Sequence, residues 1–209
     1  MKKAISIIIC LILMSSLATT AFAADLTDIP NANLVEEDVE AAIAIADAQP
    51  IVADKGATSR AITGTYPTRK GVILSTPTNA SLGGATFVGH SAIIYSASKV
   101  VESLSGGVTT GNNNWNTVKT KCYGVTVVGT TINEDAAAAD FCYRQIGCPY
   151  NYNFLNVSTR SKYYCSHLVW ASFLDLYGID LNTSTLGNII TPMELVNTDK
   201  TVTVYSKTS

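Results

Sequence analysis

The order of apolar and polar positions predicts short strands interrupted by a few amphipathic helices. Short apolar runs between turn residues are typical of strands, and apolar residues spaced by three and four are typical of helices. Helices and an antiparallel sheet segregate along the chain, which indicates an α+β fold. The predicted strands are 71–75, 87–95, 99–104, 123–128 and 201–205, the predicted helices are 34–48, 133–146, 165–177 and 191–194, and loops are expected at 76–86 and 105–114.

The helix at 165–177 begins with a cysteine, and the chemistry of the chain depends on that residue. Val169 and Phe173 belong to its apolar stripe, and Gly178 ends it. Cys165 therefore lies at a helix N-terminus, where free backbone N–H groups and the helix dipole favour the nucleophilic thiolate. The alternative is a buried thiol at the start of a core helix.

The first residues have the pattern of a secretory signal peptide. Lys2 and Lys3 supply the positive charge, residues 4–17 the apolar run and residues 21–23 an Ala-x-Ala cleavage pattern. The apolar run is too short for a membrane span. We therefore expect a cleaved segment 1–23 and a secreted or cell-surface protein.

Charge is distributed unevenly behind that segment. Residues 24–60 carry eight acidic and two basic residues, and residues 61–209 carry ten basic and eight acidic ones. The acidic leader 24–60 is a propeptide, an arm packed on the domain, or a spacer. The domain 61–209 is nearly neutral and lacks a basic stripe, so nucleic acid is not an expected partner.

Four cysteines remain beyond the signal peptide. They form either two disulfides, or a Cys142–Cys148 bridge with Cys122 and a catalytic Cys165 as free thiols. The cysteines and histidines show none of the paired spacings that bind zinc.

His90 and Glu102 are the candidates for a base and its orienting group. A cysteine nucleophile needs both within hydrogen-bond reach. His90 lies in a predicted strand, and Glu102 is a carboxylate inside the apolar strand that follows. A loop of odd length between the strands, 95–97 or 96–98, places both side chains on one face, and a loop of even length separates them. The alternative is a core histidine.

Two further residues are candidates near the cysteine. His167 follows Cys165 by two positions, and such residues do not face each other on a helix. We expect it at a pocket edge or on the surface. Tyr150, in the turn 147–154, either packs as a turn aromatic or lies at the mouth of the site, where its hydroxyl and the Cys165 backbone N–H stabilise an oxyanion.

Four segments in a fixed order resemble a known family. The chain is similar to the circularly permuted papain-like hydrolases of the YiiX/YaeF type, relatives of the NlpC-type cell-wall peptidases, over about residues 70–198. In ordinary NlpC-type enzymes the histidine strand follows the cysteine helix, and here it precedes it. The segments are Gly89-His90, Val101-Glu102, Gly147-x-Pro149-Tyr150 and Tyr164-Cys165-Ser166-x-Leu168-Val169-Trp170.

The resemblance implies a papain-like α+β fold, with the cysteine helix packed on an antiparallel sheet. It implies that Cys165 attacks an amide carbonyl, His90 transfers the proton and Glu102 orients His90. Tyr150, Tyr164 and Ser166 become oxyanion or substrate-binding candidates, and the chemistry needs neither a metal ion nor an organic cofactor.

We expect a monomeric amidase acting on cell-wall peptides such as peptidoglycan. Three alternatives remain: a lipid or ester acyl hydrolase or transferase on the same fold, a non-catalytic cell-wall-binding module, and a plain disulfide-stabilised domain.

Overall fold

A computed structural model describes residues 36–56, 64–82 and 85–208. The predicted signal peptide lies outside these residues. No helix within the described ranges has the length and apolar character needed to cross a membrane. The elements are α1 (Glu36–Asp47), β1 (Ile73–Leu82), β2 (Ala85–Ser96), β3 (Lys99–Leu104), β4 (Gly107–Asn112), α2 (Trp115–Val118), β5 (Cys122–Val127), α3 (Ile132–Arg144), α4 (Cys165–Tyr177), α5 (Glu194–Asn197) and β6 (Thr201–Lys207).

The strands form one six-stranded sheet in the order β4-β3-β2-β1-β5-β6, and every pairing between them is antiparallel. The predicted α+β class is confirmed. Two predicted loops are wrong: β4 occupies most of 105–114, and β1 and β2 extend through most of 76–86. Glycine and asparagine have low strand propensity, but the continuous pairing of β4 with β3 overrides it.

The two faces of the sheet have different partners. On one face, Ile93 and Val101 join the main core, which includes the buried side of α3 and α4. On the other face, Ala92 and Val100 form a smaller cluster with Trp115 of α2. Side chains alternate between faces along a strand, so His90 lies on the same face as Ala92.

The ends of α3 and α4 show how the sequence sets the helices. Thr131 is the N-cap of α3, ahead of the predicted start of this helix at residue 133, and it forms a capping box with Glu134. Helix α4 begins at Cys165, with no side-chain cap from Tyr164. Its end at Gly178, which has a φ of 67°, is as predicted.

The described part of the acidic leader packs on the domain near β5 and β6. The Asn197 amide donates to the Ala42 carbonyl at 2.9 Å. Asp47 accepts from Lys121 at 2.7 Å and from the Tyr123 hydroxyl at 2.5 Å. These contacts fit an arm packed on the domain, one of the three roles considered for the leader.

Asp135, in the first turn of α3, connects the end of this arm to the domain. Its buried carboxylate accepts from Lys55 at 3.2 Å, from Arg69 at 2.9 Å and from Thr126 at 3.0 Å. Arg69 also binds Asp54 at 2.8 Å. A buried carboxylate is tolerated only when it is paired and hydrogen-bonded, so these contacts hold residues 54 and 55 in place.

Candidate active site

Cys165 is a free thiol with 2% of its surface exposed. Cys122, Cys142 and Cys148 are also free, so both the two-disulfide model and the Cys142–Cys148 bridge are wrong. Burial raises the pKa of Cys122 and of Cys142 to about 12, so these two thiols remain protonated. Cys165 behaves differently because of its neighbours.

His90 and Glu102 lie side by side on neighbouring strands. The distance between His90 Nε2 and Glu102 Oε2 is 2.6 Å, and both side chains are mostly buried. Glu102 pairs with Ala92 across β2 and β3, which puts it diagonal to His90 on the same face. The carboxylate can therefore orient the imidazole.

This arrangement depends on a β-bulge that the sequence analysis did not include. The turn between β2 and β3 contains two residues, Ala97 and Ser98, because Ser96 pairs with Lys99. A loop of even length alone would separate His90 from Glu102. The register shifts at Tyr95, which adds one unpaired residue to β2 and restores the shared face. The loop is thus of even length, and the bulge has the effect that the sequence analysis attributed to an odd loop.

The side chains of Cys165 and His90 are close enough for each to shift the pKa of the other. Because Nε2 binds Glu102, Nδ1 is the ring nitrogen left for the thiol. Burial by itself would lower the pKa of His90, but the hydrogen bonds to Cys165 and Glu102 raise it to about 9. Burial would likewise raise the pKa of Cys165, but His90 and the Ser91 backbone N–H lower it. The two shifts together favour a thiolate–imidazolium pair.

Gly89 allows β1 to approach β2 directly before His90. Its φ is 101°, and a Cβ there would collide with the Thr76 carbonyl and lie 3.2 Å from Pro192 Cβ. An L-residue is strained at this φ. The Gly-His pair in the sequence therefore has a conformational reason as well as a chemical one.

Tyr150 lies next to the nucleophile. Its ring packs on Tyr152, with centroids 4.8 Å apart, and edge-on against Phe154. Burial raises its pKa, and the charge of the nearby Cys165 raises it further. Its hydroxyl therefore stays protonated and can donate a hydrogen bond near the thiolate.

Tyr164 and Ser166 flank Cys165, and both contact Ile190. The Ile190 N–H donates to the Tyr164 hydroxyl at 3.0 Å, and the Ser166 hydroxyl donates to the Ile190 carbonyl at 2.7 Å. Both residues are fully buried. These contacts attach residue 190 to the start of α4, and a role in substrate binding stays a prediction for both side chains.

His167 is fully buried, so its expected place at a pocket edge or on the surface was wrong. Its Nε2 lies 3.0 Å from the Val157 carbonyl, and its Nδ1 has no partner among the described residues. Burial lowers its pKa to about 4, and the positive charge of Arg160 adds to this effect. The ring is therefore neutral and anchors the segment that precedes α4.

Trp115 is the residue that the sequence analysis missed. Its indole stacks on the His90 imidazole, with ring centroids 5.5 Å apart and an angle of 28° between the planes. In the sequence it follows a run of three asparagines, and a single aromatic residue after a polar loop gives no sign of its neighbour. Only the folded arrangement of α2 against β2 brings the two rings together.

Known proteins resemble this chain in sequence and in structure. The uncharacterized protein YycO of Bacillus subtilis (strain 168) is 30% identical over 122 residues, which are 56% of this chain and 49% of YycO. The chain thus spans about half the length of that relative. The crystal structure of metalloprotein yiiX from Escherichia coli O157:H7 superposes with a TM-score of 0.50 at 15% identity, over 66% of this chain and 96% of yiiX.

The yiiX structure is described as that of a metalloprotein. In residues 36–56, 64–82 and 85–208 of this chain, no three histidine, cysteine or acidic side chains come together as metal ligands. The described residues therefore do not fit a metal site, and we assign no step to a metal.

The family comparison agrees with the geometry and with the resemblance of the four sequence segments. Residues 68–207 match the model of the permuted papain-like amidase enzymes YaeF/YiiX, the C92 family. That range contains Cys165, His90 and Glu102 and covers all six strands of the sheet and the two long helices α3 and α4. The chain therefore belongs to the C92 family of permuted papain-like amidases.

Proposed function

We propose that this protein hydrolyses amide bonds through a thioester formed on Cys165. The observation that carries the proposal is the position of the His90 imidazole between the thiol and Glu102, which lies 2.6 Å away. A nucleophile, a base and an orienting carboxylate in contact are the groups that acyl transfer requires. Membership of an amidase family supports amides as the substrate class.

In the first half-reaction the Cys165 thiolate attacks the amide carbonyl carbon. The His90 imidazolium then donates its proton to the amine as the C–N bond breaks, which leaves a thioester and a free amine. In the second half-reaction His90 accepts a proton from water as the water oxygen attacks the thioester. The C–S bond then breaks, the carboxylic acid is released, and the thiolate–imidazolium pair is restored. Glu102 keeps the ring oriented in both steps.

The oxyanion of each tetrahedral intermediate would be stabilised beside the start of α4. The Cys165 backbone N–H lies in the first turn of an α-helix that has no side-chain N-cap, so it is available to a ligand. The Tyr150 hydroxyl is the second proposed donor, because its ring lies close enough to Cys165 to respond to the thiolate charge.

We further propose that the protein is exported, acts as a monomer and cleaves peptide amides of the cell wall. The support is the signal-peptide pattern of the first 23 residues and the nearly neutral domain that follows. A lipid amide or an ester is the competing substrate for the same nucleophile, and the assay below separates them.

The test measures the reactivity of Cys165 and then its substrates. Iodoacetamide labelling of the unreduced protein across a pH series, mapped by mass spectrometry, uses the half-buried free thiol of Cys148 as an internal reference. We expect Cys165 to label faster than Cys148 below the ordinary thiol pKa of about 8.5, and we expect His90→Ala to abolish the difference. Equal labelling of the two cysteines in the wild-type protein would overturn the proposal.

Substrate class follows from parallel assays with peptidoglycan peptides, acyl amides and esters of fatty acids. Cys165→Ala is the inactive control and Cys122→Ala the matched control at a buried cysteine outside the site. Release of amines from the peptides alone supports the cell-wall role. Release from the fatty acyl compounds alone would replace it with lipid hydrolysis.

A further inference from the structure

We propose that Trp115 is a positioning residue, which holds the His90 ring between Glu102 and Cys165 and stabilises its protonated form. The inference rests on the roles proposed for His90 and Cys165. It concerns the indole of Trp115, which stacks on the imidazole with ring centroids 5.5 Å apart and an angle of 28° between the planes.

The stacked geometry gives the indole two effects on His90. An imidazolium over the face of an indole is attracted by its π electrons, and this attraction is strongest where water is excluded. Trp115 is only 3% exposed, so the contact is largely dry. The indole also covers one face of the imidazole, and rotation of the ring away from Glu102 would bring it against Trp115.

Trp115 can restrain His90 because several contacts fix Trp115 itself. Helix α2 has four residues and is too short to be rigid alone. The Trp115 backbone N–H donates to the Tyr66 hydroxyl at 3.0 Å, and that hydroxyl donates to Asn113 at 2.7 Å. The Tyr66 ring packs edge-on against Tyr205, with centroids 5.1 Å apart. Trp115 is therefore connected through Tyr66 to Tyr205 of β6.

The charged side chains around His90 and Trp115 affect the imidazolium in different ways. Glu102 binds one ring nitrogen, Cys165 lies near the ring, and both raise the His90 pKa. Lys119 lies over the Trp115 ring, 5.3 Å from its centroid, and competes with the imidazolium for the same π electrons. Glu102 is itself confined, since a Cβ on Gly111 would collide with its Oε1. Glu102 thus restrains His90 at a ring nitrogen, whereas Trp115 restrains the face of the imidazole ring.

The stacking makes Trp115 a reporter of His90. Protonated imidazole quenches the fluorescence of an indole that it touches, and neutral imidazole quenches it much less. The chain has two tryptophans, and Trp170 lies beside the other histidine, His167. In a Trp170→Phe background we expect fluorescence to rise with pH, with a midpoint near the His90 pKa of about 9. The same protein carrying His90→Ala should show no such transition.

Substitution of Trp115 tests the positioning role. In Trp115→Leu we expect the pH midpoint for alkylation of Cys165 to rise by about one unit, as the imidazolium is less stabilised. We expect kcat to fall about tenfold with KM unchanged, and Trp115→Phe to recover most of the loss. A merely structural role would lower the amount of folded protein without moving the midpoint.

The outcomes separate this inference from the proposed function. A fluorescence transition near pH 9 that requires His90 supports the stacking, and it needs no Trp115 variant to fold. A flat titration, or an unchanged alkylation midpoint in Trp115→Leu, overturns the positioning role if Cys165 labelling still depends on His90. If Cys165 labelling is the same with and without His90, the proposed function is overturned instead.

Discussion

The two histidines lie in different surroundings, and their contrast explains the site. His90 has two acidic neighbours, Glu102 at one ring nitrogen and Cys165 near the ring, and its pKa rises to about 9. His167 has a carbonyl at one nitrogen and no described partner at the other, and its pKa falls to about 4. Burial alone makes an imidazole neutral, and only paired negative charge reverses that effect. At neutral pH the two rings are therefore in opposite states.

Removal of each ring should have very different effects on activity. His90→Ala removes both the proton carrier and the cation that stabilises the thiolate, so we expect kcat/KM for amide hydrolysis to fall about 10³-fold or more. Steady-state kinetics with the best substrate of the panel measures this. A His90→Ala protein that retains a tenth of the activity would contradict the role assigned to His90 in this comparison.

The lowered pKa of His167 should make the protein less stable in acid. The folded-state pKa of His167 is lowered from 6.5 to about 4, so its neutral form contributes stability that is present above pH 6.5 and lost as pH falls through 4. The shift corresponds to roughly 3 kcal/mol of unfolding free energy.

Urea unfolding of the wild-type protein and His167→Phe at both ends of that range measures this loss. We expect the phenylalanine variant to lose less stability in acid, because other titrating groups are common to both proteins. Parallel losses in the two proteins would contradict a buried neutral His167.

The charge of Glu102 should account for much of the special state of His90. Glu102→Gln keeps the shape and removes the negative charge, so we expect the His90 pKa to fall and kcat to drop roughly 10²-fold. The upper limb of the pH–rate profile, which should lie near pH 9 in the wild-type protein, should move to lower pH. An unchanged limb would mean that Cys165 alone sustains the imidazolium.

The smallest effect is expected from His167→Phe at neutral pH. The ring packs against three aromatic side chains, those of Tyr163, Tyr164 and Trp170. An apolar ring of similar size should preserve this packing, so kcat/KM should stay within about threefold of the wild-type value. A much larger loss would show that the Val157 contact controls the geometry of the site.

Local patterns in the sequence were enough to predict the start and end of α4 and the class of the fold. A helix boundary depends on nearby residues, and Gly178 ends α4 as its backbone freedom predicts. Strand β4 could not be predicted in this way, because its glycines and threonines acquire strand structure only by pairing with β3. The Tyr95 bulge depends on the register of two strands and leaves no mark in composition.

The contact between His90 and Glu102 could be predicted because chemistry restricts the choice of residues there. A carboxylate in an apolar strand needs a partner, which indicates from the sequence alone that Glu102 pairs with His90. The burial of His167 could not be predicted, because it depends on tertiary contacts such as the one between its ring and the Val157 carbonyl. Trp115 was missed because aromatic stacking across distant segments has no sequence spacing.

The bulge at Tyr95 also sets a rule for how this hairpin can change in length. Insertion or deletion of one residue between His90 and Glu102 turns the carboxylate to the opposite side of the sheet, unless a bulge is gained or lost at the same time. Changes of two residues carry no such condition. Active relatives should therefore differ in this hairpin by even numbers of residues. A loop grafted here should likewise change its length by an even number.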